Sequence, residues 1–445
     1  MQILARPSNQ RAHAMNQRLE GYVNRLLRGF DRQREALGLR GRKGYYNDDT
    51  YEFEGGARDA LRAKHYDKSL RLLWKAQEHA PWMSFRDCTH DEMQLLAMAE
   101  KSLTPVEKAA RKRVNTQAFR DRLNACYTPQ QKQAIVNILA MIGHGEAYAW
   151  MVSSELLNEV RSTGGRAAMT MQVLEEAKHF VVLRELLQAF DCPIPRMNAW
   201  EYLLLERTYK SKGLEKFFGM NVVVEGFALS LFGMMGALPE LDILKLFHRD
   251  ESRHTALPSN YLHEFPLSWW DKNNPAKRLR RLSLVLPALP IFMLIEADLA
   301  EIGIDSFDFG GSLARKILKL SDRVGFKLPL TQAQVTRLFN ELFNAYCRAT
   351  RSDFVRKDFL SAETTTGQEE LDIEAEVFML KTALAEGAWA GRPLWPGSPI
   401  VTASARLLTV EILVDAGQAL TEDAFQSVLH GARHFRRDGG IDLAA

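Results

Sequence analysis

Between its turns the chain repeats apolar side chains at spacings of three and four, the period of a helix, and strand-like alternation is scarce. The pattern predicts an all-α protein. Residues 1–55 are polar and interrupted by Gly38, Gly41, Gly44 and Asn47-Asp48-Asp49, so part of this stretch is expected to be loose. Amphipathic helices are expected over 58–78 and 91–103, and Thr104-Pro105-Val106-Glu107 reads as a helix start, with Thr as cap and Pro at the first helical position. Thr128-Pro129-Gln130-Gln131 repeats that punctuation and opens a helix running through Glu146 to about Arg161. After the turn Ser162-Thr163-Gly164-Gly165, a second helix is expected over 166–190, stopping before Pro193 and Pro195. A third covers 214–236. The turn Gly236-Ala237-Leu238-Pro239 leads to a fourth over 239–254, which Pro258 ends or kinks. Further helices are expected from Ala276, Gly311, Thr331 and Glu369, with a last one from about Ala403. This divides the chain into a helical extension (1–127), a four-helix core (128–260) and a helical region packing on the core (261–445).

Composition narrows the class. With 445 residues, 46% apolar and 25% charged, the chain is long enough for a large core and two or three domains of ordinary globular character. The formal charge of +3 is uneven: residues 1–127 carry 24 Lys/Arg against 16 Asp/Glu. That basic first third suits either solvated helix faces or an anionic partner such as a carrier protein, coenzyme A or a membrane surface. Nucleic acid is not expected, since no compact Lys/Arg block with interleaved aromatics is present. Cys88, Cys126, Cys192 and Cys347 are too scattered for a zinc or iron–sulfur site and suit a reducing, cytoplasmic setting. No secretory signal is recognisable. The greasiest run, 282–295, is too short and too broken by Pro287 and Pro290 to span a membrane.

The candidate chemistry lies in two short runs, Glu175-Glu176-Ala177-Lys178-His179 and Asp250-Glu251-Ser252-Arg253-His254. Each holds Glu-x-x-His, which on a helix places carboxylate and imidazole on one face. Glu146 and Glu225 each lie in an apolar stretch one helix upstream, where an ionised carboxylate needs a cation or a proton. Residues equidistant from a helical hairpin's turn lie level. Glu225 and Glu251 centre on residue 238, inside the Gly-Ala-Leu-Pro turn, each ~20 Å from the bend at 1.5 Å per residue. Glu146 and Glu176 centre beside the Ser-Thr-Gly-Gly turn. Glu146, Glu176, His179, Glu225, Glu251 and His254 are thus expected at one height within a bundle, as ligands of a dinuclear metal site. Carboxylates mixed with imidazoles suit iron or manganese. His144 is expected to point elsewhere, while His248, three residues before Glu251, can share its face.

This constellation resembles the ferritin-like diiron-carboxylate oxidases and oxygenases, among them the methane and toluene monooxygenase hydroxylases and p-aminobenzoate N-oxygenase, over roughly residues 128–260. The resemblance implies a ferritin-like bundle whose six ligands are those residues. It also implies that Glu175 and Asp250 orient the histidines, with Arg253 steadying them. Three departures leave the subfamily open. Leu183 stands where the ribonucleotide reductase subunit has its radical tyrosine. Leu229 stands where the methane and toluene type has a threonine. Phe247 stands where the N-oxygenase type has a seventh ligand, a histidine.

The function so implied is dioxygen activation at two irons, with manganese or a mixed pair as the variant. The substrate is a small aromatic or acyl compound, free or carrier-bound. No ferredoxin-type cysteine set or dinucleotide glycine motif is present, so electrons are expected from a separate reductase or ferredoxin. A homodimer is an admissible assembly. Trp150, Val173, Phe227 and Leu229 are the candidate pocket liners, because they lie near the expected ligands along their helices. The competing readings are iron handling or peroxide detoxification, and a scaffold that keeps the bundle without turnover.

Overall fold

In a computed structural model of the chain, the described residues are 4–39, 117–161, 163–261 and 268–360, with Tyr46, Pro105 and Phe265. Every regular element among them is a helix. The expected helices over 58–78 and 91–103, and those from Glu369 and Ala403, lie outside the described residues, as does Cys88. The chain divides into two compact units. The first comprises Met1–Phe53, Ala110–Pro258 and Glu264–Ile373, drawing on all three segments read from the sequence. It is the unit described below.

Helix α1 (Gln10–Ala36) is longer than the polar, Gly-broken N-terminus suggested. The Asn9 side chain caps it by accepting from the Ala12 amide, and Gly38, at φ +65°, turns the chain away beyond its end. After the short α2 (Gln117–Ala125), α3 (Pro129–Glu159) opens with a reciprocal cap: Thr128 Oγ1 accepts from the Gln131 amide and Gln131 Oε1 from the Thr128 amide. Helix α3 is apolar on nearly every side and is buried accordingly. Its most extensive neighbour is α4 (Thr163–Ala189), which begins inside the expected Ser-Thr-Gly-Gly turn. Helix α5 (Ala199–Tyr209), capped by Asn198 and Glu201, also packs on α3.

Helix α6 (Gly213–Met235) carries a wide π turn, Gly219–Val224, at its centre. Gly219 there lets the backbone approach α5: a Cβ would sit 3.0 Å from Thr208 Oγ1 and 3.2 Å from Leu284. Helices α3 and α6 are long and apolar enough to cross a membrane, yet 78% and 89% of their most apolar stretches are buried within the protein.

The fourth core helix departs from expectation at both ends. Helix α7 (Leu244–Asn260) begins five residues after Pro239. The reason is Glu240, whose φ of +61° is left-handed and incompatible with a right-handed helix at that point. The chain instead winds through tight turns, with Leu241 bonded to the Leu238 carbonyl and Leu244 to that of Leu241. Gly236 admits this path, since a Cβ would lie 2.9 Å from Lys245 Cγ. At the other end Pro258 does not terminate α7 but lies inside it.

Beyond α7 come α8 (Trp269–Asn273), α9 (Pro275–Leu282), α10 (Ala288–Leu294), α11 (Glu296–Glu301), α12 (Ser306–Arg323) and α13 (Gln332–Thr350). The greasy run 282–295 is thus a series of turns followed by α10, with Leu284, Ile291 and Phe292 buried. Helix α12 starts at Ser306, capped by Asp305, rather than at Gly311. Gly311 lies inside the helix because any side chain there would collide with the backbone carbonyl of Phe359. Thr331 caps α13 as expected. Helix α12 packs on α6 and α13, and Phe227, Phe292 and Phe309 join α6, α10 and α12 in one aromatic cluster.

Candidate metal centre

Helices α3, α4, α6 and α7 bring Glu146, Glu176, His179, Glu225, Glu251 and His254 together, none more than 2% exposed. Their donor atoms form two overlapping groups, each able to hold a metal ion, with all atoms in a group within 4.8 Å of one another. One group is Glu146, Glu176, His179 and Glu251; the other is Glu176, Glu225, Glu251 and His254. Glu176 and Glu251 belong to both. The Glu-x-x-His of α4 and that of α7 therefore supply the shared carboxylates, while α3 and α6 each add one glutamate at the side.

Both histidines turn Nδ1 toward the cluster. His179 Nδ1 lies 2.9 Å from Glu251 and 3.2 Å from Glu146; His254 Nδ1 lies 3.1 Å from both Glu176 and Glu251. Their outer nitrogens are held crosswise. His179, on α4, bonds through Nε2 to Asp250 of α7 at 3.0 Å, and His254, on α7, bonds through Nε2 to Glu175 of α4 at 2.9 Å. Arg253 bridges the two carboxylates, donating to Glu175 at 2.7 Å and also to Asp250. Lys178 adds a bond to Asp250 at 2.5 Å. The acidic residue ahead of each motif thus orients the histidine of the opposite helix, fixing which imidazole nitrogen faces inward.

Two side chains that the sequence reading did not single out complete the frame. Gln172 donates to Glu176 and to Glu225, each at 3.0 Å, and accepts from Asn221 at 2.9 Å. Asn221 also donates to the backbone carbonyl of His254 at 3.1 Å. That carbonyl is the one residue 258 would bond in a regular helix, and Pro258 has no N–H to offer. Asn221, held in the π turn of α6, supplies the missing donor and so ties α6 to the backbone of His254. A sequence signal existed: Gln172 and Asn221 each precede a cluster glutamate by four residues, hence share its helix face. Polar residues at such positions within apolar helices are candidates for the same buried network.

The electrostatics show groups without enough positive charge. Burial, reinforced by Glu251, raises Glu146 well above the usual carboxylate range, and burial with Glu176 does the same to Glu225. Burial acts upward on Glu176 too, but His254 and His179 outweigh it and hold this group low. Glu251 falls to about 2, its burial and the repulsion of Glu176 overcome by His254 and its hydrogen bonds. Burial opposes protonation of both histidines, yet the surrounding carboxylates raise His179 and His254 well above the ordinary imidazole value. Burial and mutual repulsion thus favour the protonated forms of Glu146 and Glu225, and the surrounding carboxylates favour the protonated imidazoles. Even so, Glu176 Oε2 has no hydrogen-bond donor, and Glu251 Oε1 faces His179 Nδ1 at 2.9 Å without a well-aligned hydrogen bond. Buried carboxylate oxygens so poorly satisfied and aimed at a common centre fit a metal ion.

The cluster has a dry wall and an apolar hollow. Phe247 stacks on the His179 ring at 4.4 Å and Phe232 meets it edge-on. A cavity of about 50 Å³ lies beside Glu146 and Glu225, lined also by Gly145, Ala149, Leu204, Phe227 and Ile291 among others. Of the expected liners only Phe227 faces it. Trp150 is 40% exposed on the surface, Leu229 is packed in the core and Val173 lies outside the lining. Proximity along a helix misled here because residues three or four from a ligand share its general side without sharing its depth.

Two other histidines are otherwise engaged. His144 bonds through Nδ1 to Glu201 at 3.0 Å, as its separate facing suggested, and His248 bonds to the Leu229 carbonyl at 2.9 Å, away from the cluster. Glu201, raised by burial, also reaches the cavity wall. Cys126, Cys192 and Cys347 are free thiols. Comparison with protein-family models, curated proteins and solved structures finds no match to the chain.

Two predictions follow from this network. Asn221→Leu strands the His254 carbonyl, and its destabilisation in chemical denaturation is about 1–3 kcal/mol. In the Pro258→Ala background, where the helix regains its own donor, that penalty shrinks; equal penalties in the two backgrounds would refute the link. Divalent metal uptake must displace protons from His179, His254, Glu146 and Glu225, whose affinities for protons are all raised. Iron(II) affinity therefore rises as pH rises, with net proton release by calorimetry in buffers of differing ionisation heat.

Proposed function

We propose that the chain is a ferritin-like dinuclear iron protein that uses dioxygen to oxidise a small apolar organic compound. The observation that carries this reading is the sharing of Glu176 and Glu251 between two buried donor groups, with Glu176 Oε2 left without a hydrogen bond. Glu146 and His179 would complete one position, Glu225 and His254 the other. A pair of iron ions held there supplies the redox capacity to reduce dioxygen and oxidise a bound substrate, with electrons from a separate donor protein.

The chain's own groups have separable tasks. Asp250 and Glu175 accept from the outer imidazole nitrogens and keep the inner ones directed at the centre. Gln172 fixes the carboxylates of Glu176 and Glu225, limiting their rotation. Phe232 and Phe247 exclude water on the His179 side, which strengthens every charge interaction within. The hollow beside Glu146 and Glu225 leaves the opposite side open to a reactant. Its volume of about 50 Å³ suits a molecule as small as dioxygen, and its lining is almost wholly apolar. A larger substrate would enter by displacing side chains such as Leu204 or Ile291. That apolar hollow favours an organic oxidation over iron storage, which needs a polar route for hydrated cations.

The test is metal analysis with dioxygen consumption. The reconstituted chain is expected to hold two iron ions and to consume dioxygen when supplied with reductant. Glu176→Ala, which empties both positions of a shared ligand, should lose both properties. Ala149→Leu, which fills the hollow, should keep its iron while turnover falls at least tenfold. A chain that folds and takes up no iron or manganese on careful reconstitution would rule the proposal out.

A further inference from the structure

Helix α1 leaves a large apolar face uncovered. On its inner side Ala12 is buried and Val23 and Leu27 are half-buried; Asn16 donates to the Met293 carbonyl at 2.7 Å and to Tyr346 at 3.0 Å, Glu20 accepts from the Ala199 amide at 3.2 Å, and Asp31 is buried. Large apolar side chains point the other way. Met15, Leu19, Tyr22, Leu26 and Phe30 are 55%, 51%, 56%, 57% and 57% exposed. Their spacings of four, three, four and four form a continuous stripe, ~22 Å long at 1.5 Å per residue. Five exposed side chains in one line are not the scattered apolar residues of an ordinary surface.

The stripe has a charged border. Arg11, Arg18, Arg25 and Arg32 recur every seven residues, and all are exposed. At 100° per residue they run as a column alongside Met15 and Tyr22. Across α1 six arginines stand against Glu20, Asp31 and Glu35, a net +3. A second copy of the helix laid antiparallel on this face would set two such columns together, which is repulsive. The complement is a surface that is apolar in depth and anionic at its boundary.

We propose that the exposed face of α1 docks on an anionic lipid bilayer. The helix lies in the plane of the headgroups, with Leu19, Tyr22, Leu26 and Phe30 entering the acyl boundary and the arginine column meeting lipid phosphates. Neither part suffices alone. The stripe is short for stable insertion, and the arginines are screened at physiological ionic strength. Together they give the two signals that stable surface attachment takes.

The experiment is co-sedimentation of the full chain with vesicles of phosphatidylcholine alone and of phosphatidylcholine mixed with phosphatidylglycerol. Binding to the mixed vesicles is expected, with weak binding to the neutral ones and a decline as salt is raised. Arg18→Gln/Arg25→Gln and Leu19→Ser/Leu26→Ser should each weaken binding on the order of tenfold or more. Both pairs are exposed, so helical circular dichroism should be unchanged. Three results would each overturn the proposal: no sedimentation with anionic vesicles, equal binding to both vesicle types, or binding indifferent to both double variants. So would a concentration-dependent dimer by ultracentrifugation that is abolished by Leu19→Ser/Leu26→Ser, since it would assign the stripe to a second copy.

Discussion

Four carboxylates and two imidazoles share a space from which water is excluded, and the rest of the core is arranged around that fact. An isolated ionised carboxylate taken out of water carries a penalty of several kcal/mol even after relaxation. Here the burden is spread. Burial raises Glu146 and Glu225 toward their neutral forms, the carboxylates raise both histidines toward their charged forms, and His254 and His179 hold the shared Glu176 low. The balance is incomplete, because Glu176 Oε2, on a shared carboxylate, meets no donor. A cluster so composed is poised to exchange protons for metal ions, which is the sense in which its chemistry and its folding are one problem.

The arrangement around the cluster is reciprocal. Helices α4 and α7 each give the centre a glutamate and a histidine, and each holds the other's histidine from outside through Glu175 and Asp250. Arg253 keeps these two outer acids from repelling each other. Sliding either helix by one turn would break both histidine contacts at once, so the register between α4 and α7 is fixed by charge as much as by packing. On the remaining side α6 is tied in twice, once to α4 and once to α7. Gln172 ties Glu225 to Glu176, and Asn221 replaces the donor that Pro258 removes from α7. A proline inside a helix is normally disruptive. Here it leaves free a carbonyl that a neighbouring helix uses to grip the backbone of a cluster histidine.

The lining of the centre explains what kind of reactant it admits. Phe247 occupies the flank of His179 by stacking on it, which makes that wall apolar. The hollow on the Glu146 and Glu225 side is small and greasy, and α10, which contributes Ile291 to it, is also the helix whose Met293 carbonyl anchors α1. The helix proposed to meet lipid is therefore fastened to the element that walls the cavity.

The sequence by itself determined the helical class, the cluster residues and most helix starts, because these depend on local relations. Glu-x-x-His sets two groups on one helix face, and Thr128 and Thr331 cap their helices with partners three residues away. The level meeting of Glu225 and Glu251 was likewise legible from their equal distance to the turn. Tertiary structure alone decided what depends on contacts between helices. Glu240 in a left-handed conformation delays α7, Asn221 rescues the carbonyl opposite Pro258, and depth rather than helix face separates Phe227 from Trp150 as a cavity liner. The outward turn of α1 is of the same kind: the polar, glycine-broken pattern of residues 1–55 does not tell which side meets the protein, which is set by where Asn16 and Glu20 find partners. Periodicity fixes the faces of a helix; only packing chooses which face is covered.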